Sequence, residues 1–222
     1  MDKLFKKLNI KITSKNRYLY EEAFNHTSYV NEGNARHSYE RLEFLGDAAL
    51  ELAVSTYLFN ENKLEEGEMT KIRAEYVCED ALYEYAKELE LSDYIKVGHG
   101  EEASGGRFKK VIMADIFEAL MGAIYIDLGF EEVERVILDI VVPFIEDKES
   151  LFVDYKTMLQ EAMQTDQRSL EYHLIKEEGP AHDKTFYMEV KIDDITYGEA
   201  AAKSKKEAMR MAAKAAYEKL IK

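Results

Sequence analysis

The 222-residue sequence has one cysteine, Cys78, and only two prolines, Pro143 and Pro180. One cysteine excludes an intramolecular disulfide, and scarce cysteine is typical of proteins that work in a reducing cytoplasm. The longest apolar run, Ala119 to Ile126, is far shorter than the roughly 18 residues that suggest a membrane-spanning helix. The N-terminal residues contain no apolar core of signal-peptide length. These absences predict a cytoplasmic protein without a membrane partner.

The 30 lysines and arginines are outnumbered by 44 aspartates and glutamates, and the formal net charge is −14. Such a balance argues against nonspecific binding of polyanions by the whole surface. The acid is concentrated in residues 1–150, which carry about −13, whereas residues 151–222 carry about −1. Residues 203–222 hold most of the basic charge of the C-terminal part. A basic surface is therefore expected only in that part of the chain.

Residues 1–147 predict helices nearly throughout, because they show no strand-like alternation of apolar and polar residues. Glycine-containing breaks separate the helices at 31–38, 65–67 and 97–106. The predicted helices are 17–24, 40–59, 68–90, 107–127 and 130–147.

The pattern changes after a short charged segment at 148–152, which we interpret as a linker. Residues 154–164 predict a helix, and the apolar residues at 186, 188, 190 and 192 alternate as in a half-buried strand. Segments 169–180 and 195–200 favour strands on either side, and Ser204 is a plausible N-cap for a final helix. The order α-β-β-β-α predicts a compact second domain at 153–222, after a first domain at 1–147.

The stretch ERLEFLGDAALEL, residues 40–52, combines acids with a glycine inside a predicted helix. Glu40, Glu43 and Asp47 are spaced i, i+3 and i+7, so they share one helix face. Gly46 costs roughly 1 kcal/mol relative to alanine in a helix interior. A solvated acidic face does not explain that glycine, whereas the close approach of a second helix does.

A second predicted helix has a matching design. Asp115 and Glu118 lie among apolar residues, and Gly122 follows four positions later. If the two helices cross near their glycines, these acids converge with Glu43 and Asp47. A hard divalent cation such as Mg²⁺ or Mn²⁺ would then offset their repulsion. Spacing alone leaves a second interpretation open, namely solvated helix faces with a few ion pairs.

The stretch 40–52 resembles the signature of the ribonuclease III family. FNHTSY (24–29), EEGEMTKIRAEYV (65–77), GEEASGGR (100–107) and ADIFEALMGAIYIDLGF (114–130) resemble further family segments in family order. DYKTMLQEAMQ, EEGPAHDKTF and AKSKKEA resemble a double-stranded RNA-binding domain. The resemblance spans nearly the whole chain. It implies an all-α nuclease domain followed by a small α+β domain that binds double-stranded RNA.

The resemblance also implies a homodimeric endoribonuclease that depends on Mg²⁺, with Mn²⁺ as a substitute. It would cleave double-stranded RNA by metal-assisted phosphodiester hydrolysis, leaving 5′-phosphate and 3′-hydroxyl ends with short 3′ overhangs. Its substrates would be rRNA and mRNA precursors. The resemblance assigns catalysis and metal binding to four carboxylates and supporting roles to two more: Glu43, Asp47, Asp115 and Glu118, and Glu40 and Glu66.

Phe44 matches the aromatic residue that inserts into the partner subunit in this family, although an ordinary core phenylalanine is the alternative. The second domain would contact RNA through its first helix, through the GPAH turn and through lysines at the start of its last helix. Lysines there oppose the helix dipole, so anion binding explains them better than folding does. The implied RNA-binding residues are Thr157, Gln160, Glu161, Gln164, His182, Lys203, Lys205 and Lys206.

One segment departs from the family pattern. Gly198-Glu199-Ala200 stands where the family often has Gly-x-Gly, which predicts a reshaped turn and weaker RNA binding. Two other functions remain as alternatives. A non-cleaving double-stranded RNA-binding or ribosome-assembly protein would not need all four carboxylates, and an acidic helical interaction protein would not need the lysines.

Overall fold

The chain divides into two compact units, Met1–Phe152 and Val153–Lys222. The predicted linker at 148–152 lies outside the described residues. The computed structural model describes residues 1–12, 15–61, 64–146, 155–165, 168–180 and 184–220.

The first unit is helical throughout its described part, as predicted. Two short 3-10 segments, Leu91–Asp93 and Gly106–Phe108, flank its seventh helix. The α-helices are α1 (Asp2–Lys7), α2 (Arg17–Glu22), α3 (Thr27–Asn31), α4 (Glu40–Asn60), α5 (Glu66–Tyr76), α6 (Glu79–Glu88), α7 (His99–Ala103), α8 (Lys110–Leu128) and α9 (Phe130–Glu146).

The prediction of one helix over 68–90 is wrong, because the chain breaks between α5 and α6. Cys78 is extended there, with φ −99° and ψ 162°. The break allows Tyr76 of α5 and Tyr85 of α6 both to be buried, and the Tyr85 hydroxyl donates to the carbonyl oxygen of Tyr76 at 3.0 Å. The predicted break at 65–67 instead contains the start of α5, where Glu65 and Glu68 form a capping box.

Three short helices, α1, α3 and α7, were not predicted from the sequence. They have only five or six residues each. Apolar periodicity cannot be recognised over so few positions, and such helices depend on tertiary packing. Helix α8 also begins at Lys110 rather than at residue 107.

Helix α8 is the centre of the first unit. Eleven of its residues, from Ile112 to Ile124, are buried. A helix that is apolar on nearly all sides is stable in water only when other elements surround it. Helix α4 packs along α8, and the apolar side chains that it buries there include Leu50 and Val54. Within the described part of the chain, no helix combines the length and apolarity needed to cross a bilayer.

The second unit has the predicted α-β-β-β-α order. Its strands form an antiparallel sheet in the order β1-β2-β3, against which both helices pack. Met188, Val190 and Ile192 are buried, which confirms the predicted alternation. The Ser204 Oγ accepts the backbone N–H of Glu207 at 3.1 Å, as expected of an N-cap. The elements are α10 (Tyr155–Thr165), β1 (Leu170–Glu178), β2 (Thr185–Ile192), β3 (Ile195–Ala202) and α11 (Lys205–Leu220).

The strand predicted over 195–200 is confirmed, since β3 continues through Gly198-Glu199-Ala200 to Ala202, and these three residues form no turn. Gly198 instead faces α11, where an added methyl carbon would lie 2.5 Å from the backbone nitrogen of Ala216. The glycine therefore allows the sheet and the helix to touch. The chain reverses earlier, at Asp193 and Asp194, which both have positive φ.

Candidate metal centre and RNA-binding surface

Two glycines bring the backbones of α4 and α8 into contact. A methyl carbon on Gly46 would lie 2.6 Å from the carbonyl carbon of Glu118 and 2.8 Å from the nitrogen of Gly122. A methyl carbon on Gly122 would lie 2.9 Å from the carbonyl carbon of Leu42. No larger residue fits at either position, so the predicted close approach of the two helices is confirmed.

Three carboxylates meet beside this crossing. Glu43, Asp115 and Glu118 each offer one oxygen, and these oxygens all lie within 4.8 Å of one another. All three side chains are partly buried. Asp47, one turn after Glu43 on α4, is exposed and lies outside this group of three. Its charge nevertheless raises the pKa of both Glu43 and Glu118.

Burial and mutual repulsion raise the pKa values of Glu43, Asp115 and Glu118, which we call the carboxylate group. Burial, followed by the charges of Asp115, Glu40 and Asp47, raises the pKa of Glu43 to about 7. Burial and then the charge of Asp47 contribute most to raising the pKa of Glu118 to about 8. Burial also raises the pKa of Asp115. This is the behaviour expected of acids that share a site without a countercharge.

The lysines and arginines that the structure describes do not provide that countercharge. Among the described residues, no lysine or arginine forms an ion pair with Glu43, Asp115 or Glu118. The donors in the group are carboxylate oxygens, which hard divalent cations prefer. A divalent cation therefore fits the residues present, both in charge and in donor chemistry.

Tyr39 contacts the carboxylate group and was not singled out from the sequence. Its hydroxyl donates to Asp115 Oδ2 at 2.8 Å, and its side chain is buried. The two residues are 76 positions apart, and no local pattern shows where a tyrosine hydroxyl points. The only sequence signal is the position of Tyr39, immediately before the acidic stretch.

The two acids with implied supporting roles are in different surroundings. Glu40 is exposed, accepts a hydrogen bond from Ser38 Oγ at 2.8 Å and helps to raise the pKa of Glu43. Glu66 is exposed in the first turn of α5 and accepts a hydrogen bond from Thr70 Oγ at 3.3 Å. Neither belongs to the group of three carboxylates.

Phe44 lies on the outer face of α4 and is 82% exposed, so the alternative of an ordinary core phenylalanine is wrong for this structure. Leu52 and Phe59, on the same side of the helix, are 55% and 74% exposed. We call Phe44, Leu52 and Phe59 the α4 apolar face. Large apolar side chains grouped on one surface are typical of an interaction site.

Helix α10 separates its buried residues from its polar ones. Tyr155, Leu159 and Met163 are buried in the core of the second unit. The opposite face is exposed and carries four of the implied RNA-binding residues. These are Thr157, Gln160, Glu161 and Gln164. His182 lies outside the described residues.

Lys203, Lys205 and Lys206, at the start of α11, are exposed, and an acid on β1 contacts Lys205. Lys205 Nζ lies 2.8 Å from Glu177 Oε1, and Lys184 Nζ lies 2.8 Å from Glu177 Oε2. Hydrogen bonds from Lys184 and then Lys205 lower the pKa of Glu177 to about 2. Glu177 was not predicted, since strand register decides which lysines it meets. The implied lysines are Lys203, Lys205 and Lys206.

Comparisons with known proteins match both units. Residues 16–144 match the family model described as ribonuclease-III-like, and residues 155–220 match the double-stranded RNA binding motif. The chain is 46% identical over 211 residues to Ribonuclease 3 of Caldanaerobacter subterraneus subsp. tengcongensis, covering 93% of this chain and 92% of that protein. It is 45% identical over 223 residues to Ribonuclease 3 of Bacillus cereus, covering 98% and 91%.

The solved structures agree with these matches for the first unit. A crystal structure of the nuclease domain of ribonuclease III from Campylobacter jejuni has a TM-score of 0.60 and 36% identity, covering 66% of this chain and 97% of that one. A second structure of that domain has a TM-score of 0.58 and 37% identity, covering 64% and 95%.

Proposed function

Since the chain belongs to the ribonuclease III family and is a double-stranded-RNA-specific endoribonuclease, we propose that it cleaves RNA beside the crossing of α4 and α8. Glu43, Asp47, Asp115 and Glu118 are the proposed catalytic and metal-binding residues. The observation that carries the proposal is the group of three carboxylates whose oxygens lie within 4.8 Å of one another, with no ion pair to a lysine or arginine among the described residues.

We propose Mg²⁺ as the natural ion, with Mn²⁺ as a substitute, because all the donors are oxygens. A divalent cation bound there would neutralise the carboxylates and stabilise the negative charge that develops on the phosphate during hydrolysis. Gly46 and Gly122 keep the acids of the two helices close together. Asp47 is exposed beside the group, within reach of a ligand that arrives from solvent. Glu40 and Glu66 would support the site from outside it.

We further propose that the protein acts as a homodimer, with a second copy of the chain covering the α4 apolar face. Phe44 would insert into the partner subunit. The exposure of three large apolar side chains on one helix supports this assignment. In the Campylobacter jejuni relative, one structure concerns the region involved in dimer formation of the nuclease domain. Each protomer would then cut one strand of the duplex.

The second domain would hold the duplex by shape. Double-stranded RNA presents minor-groove 2′-hydroxyls and phosphates rather than readable base edges. The polar face of α10 would enter one minor groove, and His182 would contact the next. Lys203, Lys205 and Lys206 would bind the phosphates between them.

Products would carry 5′-phosphates, 3′-hydroxyls and short 3′ overhangs, and the targets would be rRNA and mRNA precursors.

A cleavage assay with product-end analysis tests the proposal. A long end-labelled RNA duplex is incubated with native protein, with Glu118→Gln or with Glu88→Gln, in Mg²⁺ or EDTA. Glu88 is an exposed acid on α6 and serves as the control. Native protein and the control should cut only with Mg²⁺ and leave the expected ends. Glu118→Gln should shift the duplex in a gel as native protein does, without cutting it at low Mg²⁺.

Two outcomes would contradict the proposal at different points. Normal cleavage by Glu118→Gln would show that the metal site is assigned to the wrong residues. A gel shift without cleavage by native protein, in both Mg²⁺ and Mn²⁺, would favour the alternative of a non-cleaving double-stranded RNA-binding protein.

A further inference from the structure

Tyr39 connects α4 and α8, the two helices that carry Glu43, Asp115 and Glu118. Its carbonyl oxygen accepts the backbone N–H of Leu42 at 2.8 Å and of Glu43 at 2.9 Å, at the start of α4. Its side-chain hydroxyl donates to Asp115 Oδ2 on α8 at 2.8 Å. One residue therefore fixes both the beginning of the helix that bears Glu43 and a carboxylate oxygen on the opposite helix.

The Tyr39 ring has little freedom to move. It is 4% exposed, and its centroid lies 5.8 Å from that of the His26 ring. Its backbone N–H donates to the carbonyl oxygen of Asn25 at 3.0 Å. A hydroxyl on so restricted a ring can hold an acceptor in one orientation.

We propose that Tyr39 is a positioning residue for metal binding. Its hydroxyl would hold the Asp115 carboxylate in one orientation toward Glu43 and Glu118. This inference rests on the proposed metal site and adds a residue outside the carboxylates themselves. Partners that hydrogen-bond to metal ligands are typically worth roughly 10- to 100-fold in metal affinity or activity.

The same helix offers a matched control. Tyr20 is fully buried, and its hydroxyl donates to Asp127 Oδ2 at 2.8 Å near the other end of α8. Asp127 is not part of the carboxylate group. Tyr20→Phe therefore removes the same chemical bond, at the same distance and on the same helix, but away from the proposed metal. Each substitution removes one tyrosine–aspartate hydrogen bond of the same length, so Tyr39→Phe and Tyr20→Phe should lower the free energy of unfolding by similar amounts.

Direct Mn²⁺ binding without RNA is the primary measurement, with free Mn²⁺ followed by electron paramagnetic resonance. We expect Tyr39→Phe to weaken Mn²⁺ binding roughly 10-fold, while Tyr20→Phe binds as native protein does. In cleavage assays, Tyr39→Phe should need more Mg²⁺ for half-maximal activity and should approach native turnover when Mg²⁺ saturates. Urea denaturation of both variants shows whether their losses of stability are comparable.

The outcomes separate this inference from the proposed function. Native Mn²⁺ affinity in Tyr39→Phe would overturn the positioning role and leave the metal site intact. An equal loss of Mn²⁺ affinity in both tyrosine variants would also overturn it, because the effect would then follow from general loosening of α8. If native protein and Glu118→Gln bind Mn²⁺ equally, the metal site itself is wrongly assigned.

Discussion

In protein free of divalent metal, replacing Glu118 with glutamine should stabilise the fold at alkaline pH. Folding raises the pKa of Glu118 from its ordinary value of 4.5 to about 8. Between these values the folded protein binds more protons than the unfolded chain does. The free energy of unfolding therefore falls as pH rises from about 4.5 to about 8. Glutamine cannot ionise, so Glu118→Gln removes this contribution to the pH dependence.

The pKa change sets the size of the effect. One pKa unit corresponds to roughly 1.4 kcal/mol, so a rise from 4.5 to about 8 gives an upper limit of roughly 5 kcal/mol. Glu118 is only partly buried, and solvent screening reduces that limit. We expect Glu118→Gln to be more stable than native protein by about 1 to 3 kcal/mol near pH 8.5. Most of this difference should disappear near pH 5.

Urea denaturation in EDTA measures this difference. The chain has no tryptophan, so far-ultraviolet circular dichroism is the suitable signal. Glu88→Gln is again the control and should leave stability near pH 8.5 within about 0.5 kcal/mol of native. Added Mg²⁺ should stabilise native protein more than Glu118→Gln, because the ion binds the folded state. A Glu118→Gln protein no more stable than native near pH 8.5 would refute the claim that Glu118 carries uncompensated charge.

Three further predictions concern other parts of the molecule. Gly46→Ala should lower the free energy of unfolding by about 3 kcal/mol or more, because the new methyl group meets backbone atoms of α8. Gly67→Ala in α5, where the methyl group meets nothing, should raise the free energy of unfolding by up to about 1 kcal/mol. Urea denaturation measures both changes. Phe44→Ala should shift the protein from dimer to monomer in sedimentation, while Phe108→Ala, another exposed phenylalanine, should not. Glu177→Gln should tighten duplex RNA binding on the order of 5-fold at low salt, because two lysines lose the carboxylate that neutralises them.

Each of these predictions has a contrary result. Native stability in Gly46→Ala would mean that α4 and α8 can separate at no cost. An unchanged sedimentation coefficient for Phe44→Ala at every concentration would remove the α4 apolar face as the proposed dimer contact. Weaker RNA binding by Glu177→Gln would show that the carboxylate orients its lysines for RNA rather than competing with it.

Local patterns were enough to predict the larger elements. Helix α4 runs over residues 40–60 against a predicted 40–59, and β2 contains the alternating residues that indicated it. The glycines at 46 and 122 are informative because each opposes helix propensity, so only a tertiary contact explains it. The same reasoning selected the acids of both helices from their spacing. These signals lie within a few residues, where backbone and side-chain preferences act directly.

Other features were decided only when distant segments packed together. The break between α5 and α6 carries no glycine or proline, and Tyr76 on one side of it and Tyr85 on the other are both buried in the core. The sequence selected four carboxylates, but packing brought three of them within 4.8 Å and left Asp47 exposed beside them. The metal-binding roles of all four stay predictions. The bond from Tyr39 to Asp115 and the pairing of Glu177 with Lys205 join residues far apart in the chain.

The sequence by itself determined where the long helices α4 and α8 and the central strand β2 lie, which of their faces are apolar, and which acids are available to meet. Those properties follow from periodicity and propensity, and both are local. Only the tertiary structure decided how close the acids come, how deeply they are buried and which tyrosine holds one of them. Burial and distance set the energy of a charge, and neither quantity exists until α4 and α8 have packed against each other.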